Sequence, residues 1–221
     1  MYNLLPDNIE KEFFHEYLEL FINRVAHSTM AYENTEGDPN NYANALILQD
    51  NMKAAKELLD TYKKRALTEE LIMRIAYRVN FSDKQVSFGY RKKECIYKES
   101  DIPTIAAKDI EKKMRSLIRN YKTKWKELDP YLREAMFHID FIRIHPFHDG
   151  NCRTAILFLN HNLLKQKMFP VVISTDMTLE YQICINTLDY EALAKIFRKQ
   201  SQLEKEVFTN LQKNYNKKTN E

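Results

Sequence analysis

There are few places in this chain where a helix has to stop. Its 221 residues hold three glycines, Gly37, Gly89 and Gly150, and six prolines. Those two residue types release or forbid helical backbone, so long stretches lacking both are free to stay helical. Apolar residues return every three or four positions through Phe13, Phe14, Tyr17, Leu18, Phe21, Ile22 and Val25, which places them on one side of a helix. Similar spacing covers about 42–64, about 69–80 after Thr68 as an N-cap residue, and about 108–124. The expected class is all-α in a single domain, with one exception. From Gln85 to Ser100, the groups Val86, Phe88, Tyr90 and Cys95, Ile96, Tyr97 flank a charged turn at Arg91–Glu94, a pattern that predicts a short β-hairpin.

Charge and composition exclude some classes of function. The net charge is only +3, and the basic residues are scattered apart from Lys217 and Lys218, a field too weak to make nucleic acid the main partner. No apolar run is long enough to span a bilayer, and MYNLLPDNIEKEFF lacks the pattern of a secretory leader; a cytoplasmic protein that does not enter membranes is expected. Cys95, Cys152 and Cys184 are odd in number and far apart, so they suit reduced thiols better than a disulfide set or a zinc site. Oligomeric state leaves no mark in the sequence.

The richest segment is His145–Arg153, HPFHDGNCR. A helix should start at Asp129-Pro130, an N-cap followed by proline, and end at Ile144, because Pro146 disfavours helical geometry at the residue before it. That puts His145 at a helix exit. Beyond the loop 146–150 the segment CRTAILFLNHNLL is apolar on almost every side, which predicts a buried central helix ending before Phe169-Pro170. Two further helices are expected at about 179–199 and 202–214.

Gly150 and Asn151, the latter expected as the N-cap of the buried helix, would expose backbone N–H groups at a positive helix end, an anion site. Arg153 in the first turn suits phosphate oxygens, and Asp149 offers a hard ligand for a magnesium ion shared with them. His145 can take a proton from an attacking hydroxyl near neutral pH. Phe147 reads as the loop's anchor and His148 as an exposed spacer.

The segment IHPFHDGNCRT resembles the active-site motif of Fic proteins, in which HPF, any residue and an acidic residue precede GNGR and commonly a second Arg. HIDFIRIHPF before it, FLNHNLL and FP after it, and GYR near Gly89 extend the resemblance over about 70–200, as a Fic core between N-terminal helices in 1–66 and a C-terminal helix and polar tail in 201–221. The resemblance implies a protein adenylyltransferase that moves AMP from ATP, with Mg²⁺ or Mn²⁺, to a Ser, Thr or Tyr hydroxyl of a target protein or of itself. It assigns His145 as base and Asp149 as metal ligand. Gly150, Asn151 and Cys152 would line the phosphate site, Arg153 would meet the β phosphate and Tyr181 would help enclose the adenine. The target would dock on the 85–100 hairpin by adding a strand.

Two positions depart from the family pattern. Cys152 replaces a Gly, and Ile156 stands where the second Arg would be. Thr29, Glu33 and Asn34 resemble the family's inhibitory motif, in which the Glu pairs with that missing Arg. Transfer of UMP, phosphocholine or phosphate, a metal-dependent phosphohydrolase using His138, Asp140, His145, His148 and Asp149, and a non-catalytic Fic-fold module are the competing expectations.

Overall fold

The computed structural model describes residues 2–32, 42–95 and 104–219. Eight α-helices run through them: α1 Lys11–Tyr32, α2 Tyr42–Leu59, α3 Glu69–Arg78, α4 Ile110–Lys122, α5 Pro130–Ile144, α6 Asn151–Lys165, α7 Thr178–Thr187 and α8 Tyr190–Thr219. Single 3-10 turns at Ala107–Asp109 and Thr175–Met177 lead into α4 and α7.

The centre is α6. Its side chains Ile156, Leu157, Phe158, Leu159, Leu163 and Leu164 are at most 1% exposed, each worth about 1.5–3 kcal/mol of burial. It packs against α1, α2, α3 and α5, while α5 also meets α4 and α8. Asn160, buried in α6, donates to Val171 O at 3.0 Å and accepts from Val171 N–H at 2.6 Å, so the chain leaving the helix is folded back along it. Between α1 and α8, Glu204 accepts from the Tyr17 hydroxyl and from both terminal nitrogens of Arg24, which satisfies a carboxylate that is almost fully buried.

Caps set the helix starts near the loop. The Thr68 hydroxyl accepts from Leu71 N–H at 3.1 Å, and the Asp129 carboxylate accepts from Tyr131 N–H at 3.0 Å and Leu132 N–H at 3.2 Å. With Pro130 at the first helical position, α5 starts and stops where the sequence indicates.

Three expectations change. No strand forms over 85–95, where the chain takes bends and turns, and the rest of the expected hairpin, 96–100, lies outside the described residues. The C-terminal helices divide at Leu188, which adopts left-handed geometry (φ 59°), so that α8 continues without a break across residues 200–202 and buries Ser201, Glu204 and Phe208. Asp189 accepts from Ala192 N–H at 2.8 Å at the new start, a cap that the apolar periodicity does not reveal. Finally, Gly150 rather than Asn151 caps α6, since Asn151 is already helical and its side chain is used elsewhere.

Candidate active site

His145 is the first residue beyond α5 and takes left-handed geometry, φ 48° and ψ 60°. Its N–H still donates to Phe141 O at 3.1 Å, while the left-handed turn swings the chain out of the helix toward the loop. Burial, reinforced by the positive charge of Arg91, lowers its pKa to about 4, against smaller raising effects from the Ile142 carbonyl and Asp149. A histidine in this state is neutral at pH 7 and able to accept a proton.

The loop is closed by its own side chains. Asn151 accepts from Phe147 N–H at 3.0 Å and donates to Phe147 O at 2.9 Å. The Phe147 ring is 4% exposed and sits 5.6 Å from the ring centre of Tyr90, which makes it the anchor expected from its position. His148 and Asp149 face solvent. Asp149 Oδ1 accepts from Gly150 N–H at 2.6 Å. The first N–H groups of a helix find no acceptor within it, and at α6 these belong to Asn151, Cys152 and Arg153, at the positive end of the helix dipole.

A second clasp comes from the end of α3. Asn80 donates to Ala76 O and to Asp149 O, both at 3.0 Å, and it fills the space beside Gly150. Arg153, 1% exposed, donates to Val79 O at 2.9 Å, to Asn80 Oδ1 at 3.2 Å and to Asp149 Oδ2 at 2.9 Å. Its guanidinium, expected to meet phosphate oxygens, here bridges the loop and the end of α3. Sequence reasoning missed Val79, Asn80 and the role of Arg91. Asn80, a small amide at the end of an amphipathic segment, looks like any helix end.

Other expected residues scatter. Tyr181 is 2% exposed, and its hydroxyl lies 2.7 Å from Nε2 of the buried His138, so it packs in the core between α7 and α5. Cys152 is half-buried and Ile156 is 1% exposed in the core. Thr29 is buried at the end of α1, where its hydroxyl donates to Ala26 O at 2.9 Å and accepts from Asn51 at 2.7 Å. Glu33 and Asn34 lie outside the described residues. Among the described residues no group of three or more His, Cys, Asp or Glu is placed to hold a metal, and Asp140 is turned away to the Tyr190 hydroxyl at 2.9 Å.

Residues 65–163, which carry the loop, Asn80 and Arg91, match the Fic/DOC family model. Over these residues the chain is similar to Fic domains. It is 32% identical over 71 residues to the protein adenylyltransferase fic-1 of Caenorhabditis elegans, a match that covers 32% of this chain and 14% of that protein. It is 28% identical over 137 residues to the protein adenylyltransferase Fic of Nematostella vectensis, covering 62% of this chain and 32% of the relative. The chain thus spans a minor part of the length of these curated relatives.

The fold agrees over a longer stretch. A Fic domain containing signaling protein from Bacteroides thetaiotaomicron superposes with a TM-score of 0.75 at 18% identity, covering 93% of this chain and 91% of that one. A C. elegans Fic-1 structure gives 0.72 at 14% identity, covering 92% and 67%. What the Fic domain brings together here is a neutral imidazole, one exposed carboxylate and a positive helix end, all within a loop held from two sides. No helix among the described residues is long and apolar enough to cross a membrane.

Proposed function

We propose that this Fic domain is a protein adenylyltransferase, moving AMP from ATP to the hydroxyl of a Ser, Thr or Tyr on a target protein. The observation that carries the reading is the desolvated His145, kept neutral at a helix exit next to the N-terminus of α6. As the target oxygen attacks the α phosphorus, His145 takes the hydroxyl proton, the bond to the bridging α–β oxygen breaks, and pyrophosphate leaves. The helix end, with Gly150, Asn151 and Cys152, faces the negative charge that builds on the phosphates.

Asp149 suits a magnesium or manganese ion in one respect: it is a single hard carboxylate, 54% exposed, at the mouth of the loop. Mg²⁺ commonly takes one or two such carboxylates and fills its shell with water and phosphate oxygens, and here it would neutralise the leaving pyrophosphate. Asp149 and Arg153 now hold one another at 2.9 Å. Were Asp149 to hold the cation, that guanidinium nitrogen of Arg153 would be released toward a β-phosphate oxygen.

A protein target is supported by a structural neighbour, IbpAFic2, solved in complex with adenylylated Cdc42, with a TM-score of 0.57 at 14% identity. The 85–100 segment remains the proposed docking place, with Phe88 exposed on its surface. The test is incubation with Mg²⁺ and ATP labelled on the α phosphate, with mass spectrometry of the modified protein. AMP should be added by the wild type and not by His145→Ala. A different added mass would point to another transferred group, and equal labelling of both proteins would refute the role of His145.

A further inference from the structure

The two peptide units that follow α5 are both held by one residue from another part of the chain. Arg91 N–H donates to Pro146 O at 2.9 Å, and Arg91 Nε donates to His145 O at 2.7 Å. The rest of the guanidinium donates to Lys93 O at 2.8 Å and Ile105 O at 2.5 Å. The Arg91 side chain is 2% exposed, and Glu94, 3.8 Å away, is 70% exposed, so the main partners of this buried charge are carbonyl oxygens. One of the guanidinium's bonds, to His145 O, falls at the C-terminal end of α5, where the helix dipole favours a cation.

His145 needs such a hold. Left-handed backbone costs a residue with a β-carbon about 1–2 kcal/mol, and a helix leaves its last carbonyls without acceptor partners. Asn151, Asn80 and Arg153 bind Phe147, Asp149 and Val79 farther along the loop and at the end of α3.

We infer that Arg91 is the positioning residue of His145, fixing the left-handed turn that aims the imidazole at the reacting hydroxyl. This rests on the adenylyl-transfer reading for its kinetic consequence and on geometry alone for the clasp. In the full chain, Arg91→Lys keeps a charge but reaches too few carbonyls, and Arg91→Gln loses the charge as well. Both should lower kcat for transfer of labelled AMP about 10- to 100-fold, the scale of a misplacement near 1 Å, and leave KM for ATP within about twofold. Lys should not rescue.

Two readouts are independent of activity. The groups that face His145 are Arg91, Asp149 and the Ile142 carbonyl, so Arg91→Gln should raise the pKa of the His145 imidazole followed by NMR. In the wild type, the Arg91 Nε–H should exchange slowly with solvent. Unchanged kcat in either variant of an active enzyme, an unmoved His145 titration, or a fast-exchanging Arg91 Nε–H would each overturn the inference. A wild type that transfers no AMP sinks the proposed function instead, and the exchange of the wild-type Arg91 Nε–H still decides the clasp, even where the variants do not fold.

Discussion

A β-carbon built on Gly150 would lie 2.6 Å from the side-chain nitrogen of Asn80 and 2.8 Å from a methyl of Val79. The loop and the end of α3 touch with no room for a methyl group. Gly150 also has φ +72°, so an L side chain is strained there whatever the space. Gly150→Ala should cost about 1–3 kcal/mol in urea unfolding and abolish most AMP transfer. A loss under about 0.5 kcal/mol would show that the clasp yields easily.

Asn80 holds the loop through hydrogen bonds as well as by packing beside Gly150. Asn80→Ala strips Asp149 O of one donor and Arg153 of one of its acceptors, two hydrogen bonds at about 0.5–1.5 kcal/mol each. The expected outcome is a raised KM for ATP together with a lower melting temperature. A normal KM would mean that Arg153 alone holds the loop to α3.

The third test concerns inhibition. Ile156 is 1% exposed and apolar, so Glu33 has no cation to pair with at that position. Glu33→Gly should therefore change AMP transfer little, within about threefold, less than a lost charged hydrogen bond would give. A large gain in labelling would show that Glu33 restrains the enzyme through some other contact.

The pH dependence has two parts with definite signs. The base proposed here must be neutral to accept a proton, and with its pKa lowered to about 4 His145 stays neutral well below the ordinary 6.5. The acid limb of kcat against pH should fall nearer 4 than 6.5, provided the protein stays folded.

Stability should fall over a higher part of the pH range than activity. Below 6.5 the unfolded chain protonates His138 and His145, whose pKa values in the fold are lowered by burial to about 3 and about 4, and folding loses free energy as the pH falls. Buried Glu134 opposes this: its pKa is raised to about 7 from 4.5, so between those values the native state holds a proton that the unfolded chain releases. His161, also lowered by burial, adds to the loss, so the histidines outweigh Glu134 and stability should fall by on the order of 1 kcal/mol or more per pH unit between about 6.5 and 4.5, measurable by urea unfolding.

Local signals were the legible ones. Thr68, Asp129-Pro130 and Pro146 fix helix ends through bonds to residues within a few positions, and α5 begins and ends where they say. The apolar run in α6 marks the centre for the same reason. The break at Leu188 escaped notice because no Gly or Pro marks it and the apolar spacing continues through it. Arg153 shows the other limit. Its type and place in the first turn suit phosphate, but its observed partners, Val79 and Asn80, lie more than seventy positions away, and no local pattern announces them. Tyr181 likewise meets a partner, His138, on another helix, which no local pattern announces.

The bond from Arg153 to Val79 O spans 74 positions of chain, and that from Arg91 to the His145 carbonyl spans 54. Contacts of that reach form only after the intervening chain has paid its loop-closure entropy, so they belong to the later events of folding. The catalytic loop should thus acquire its shape last, when α3 docks on α6 and Arg91 meets the end of α5. A peptide cut to α5, the loop and α6 would retain every motif residue from His145 to Arg153 and neither of the clasps that give them direction.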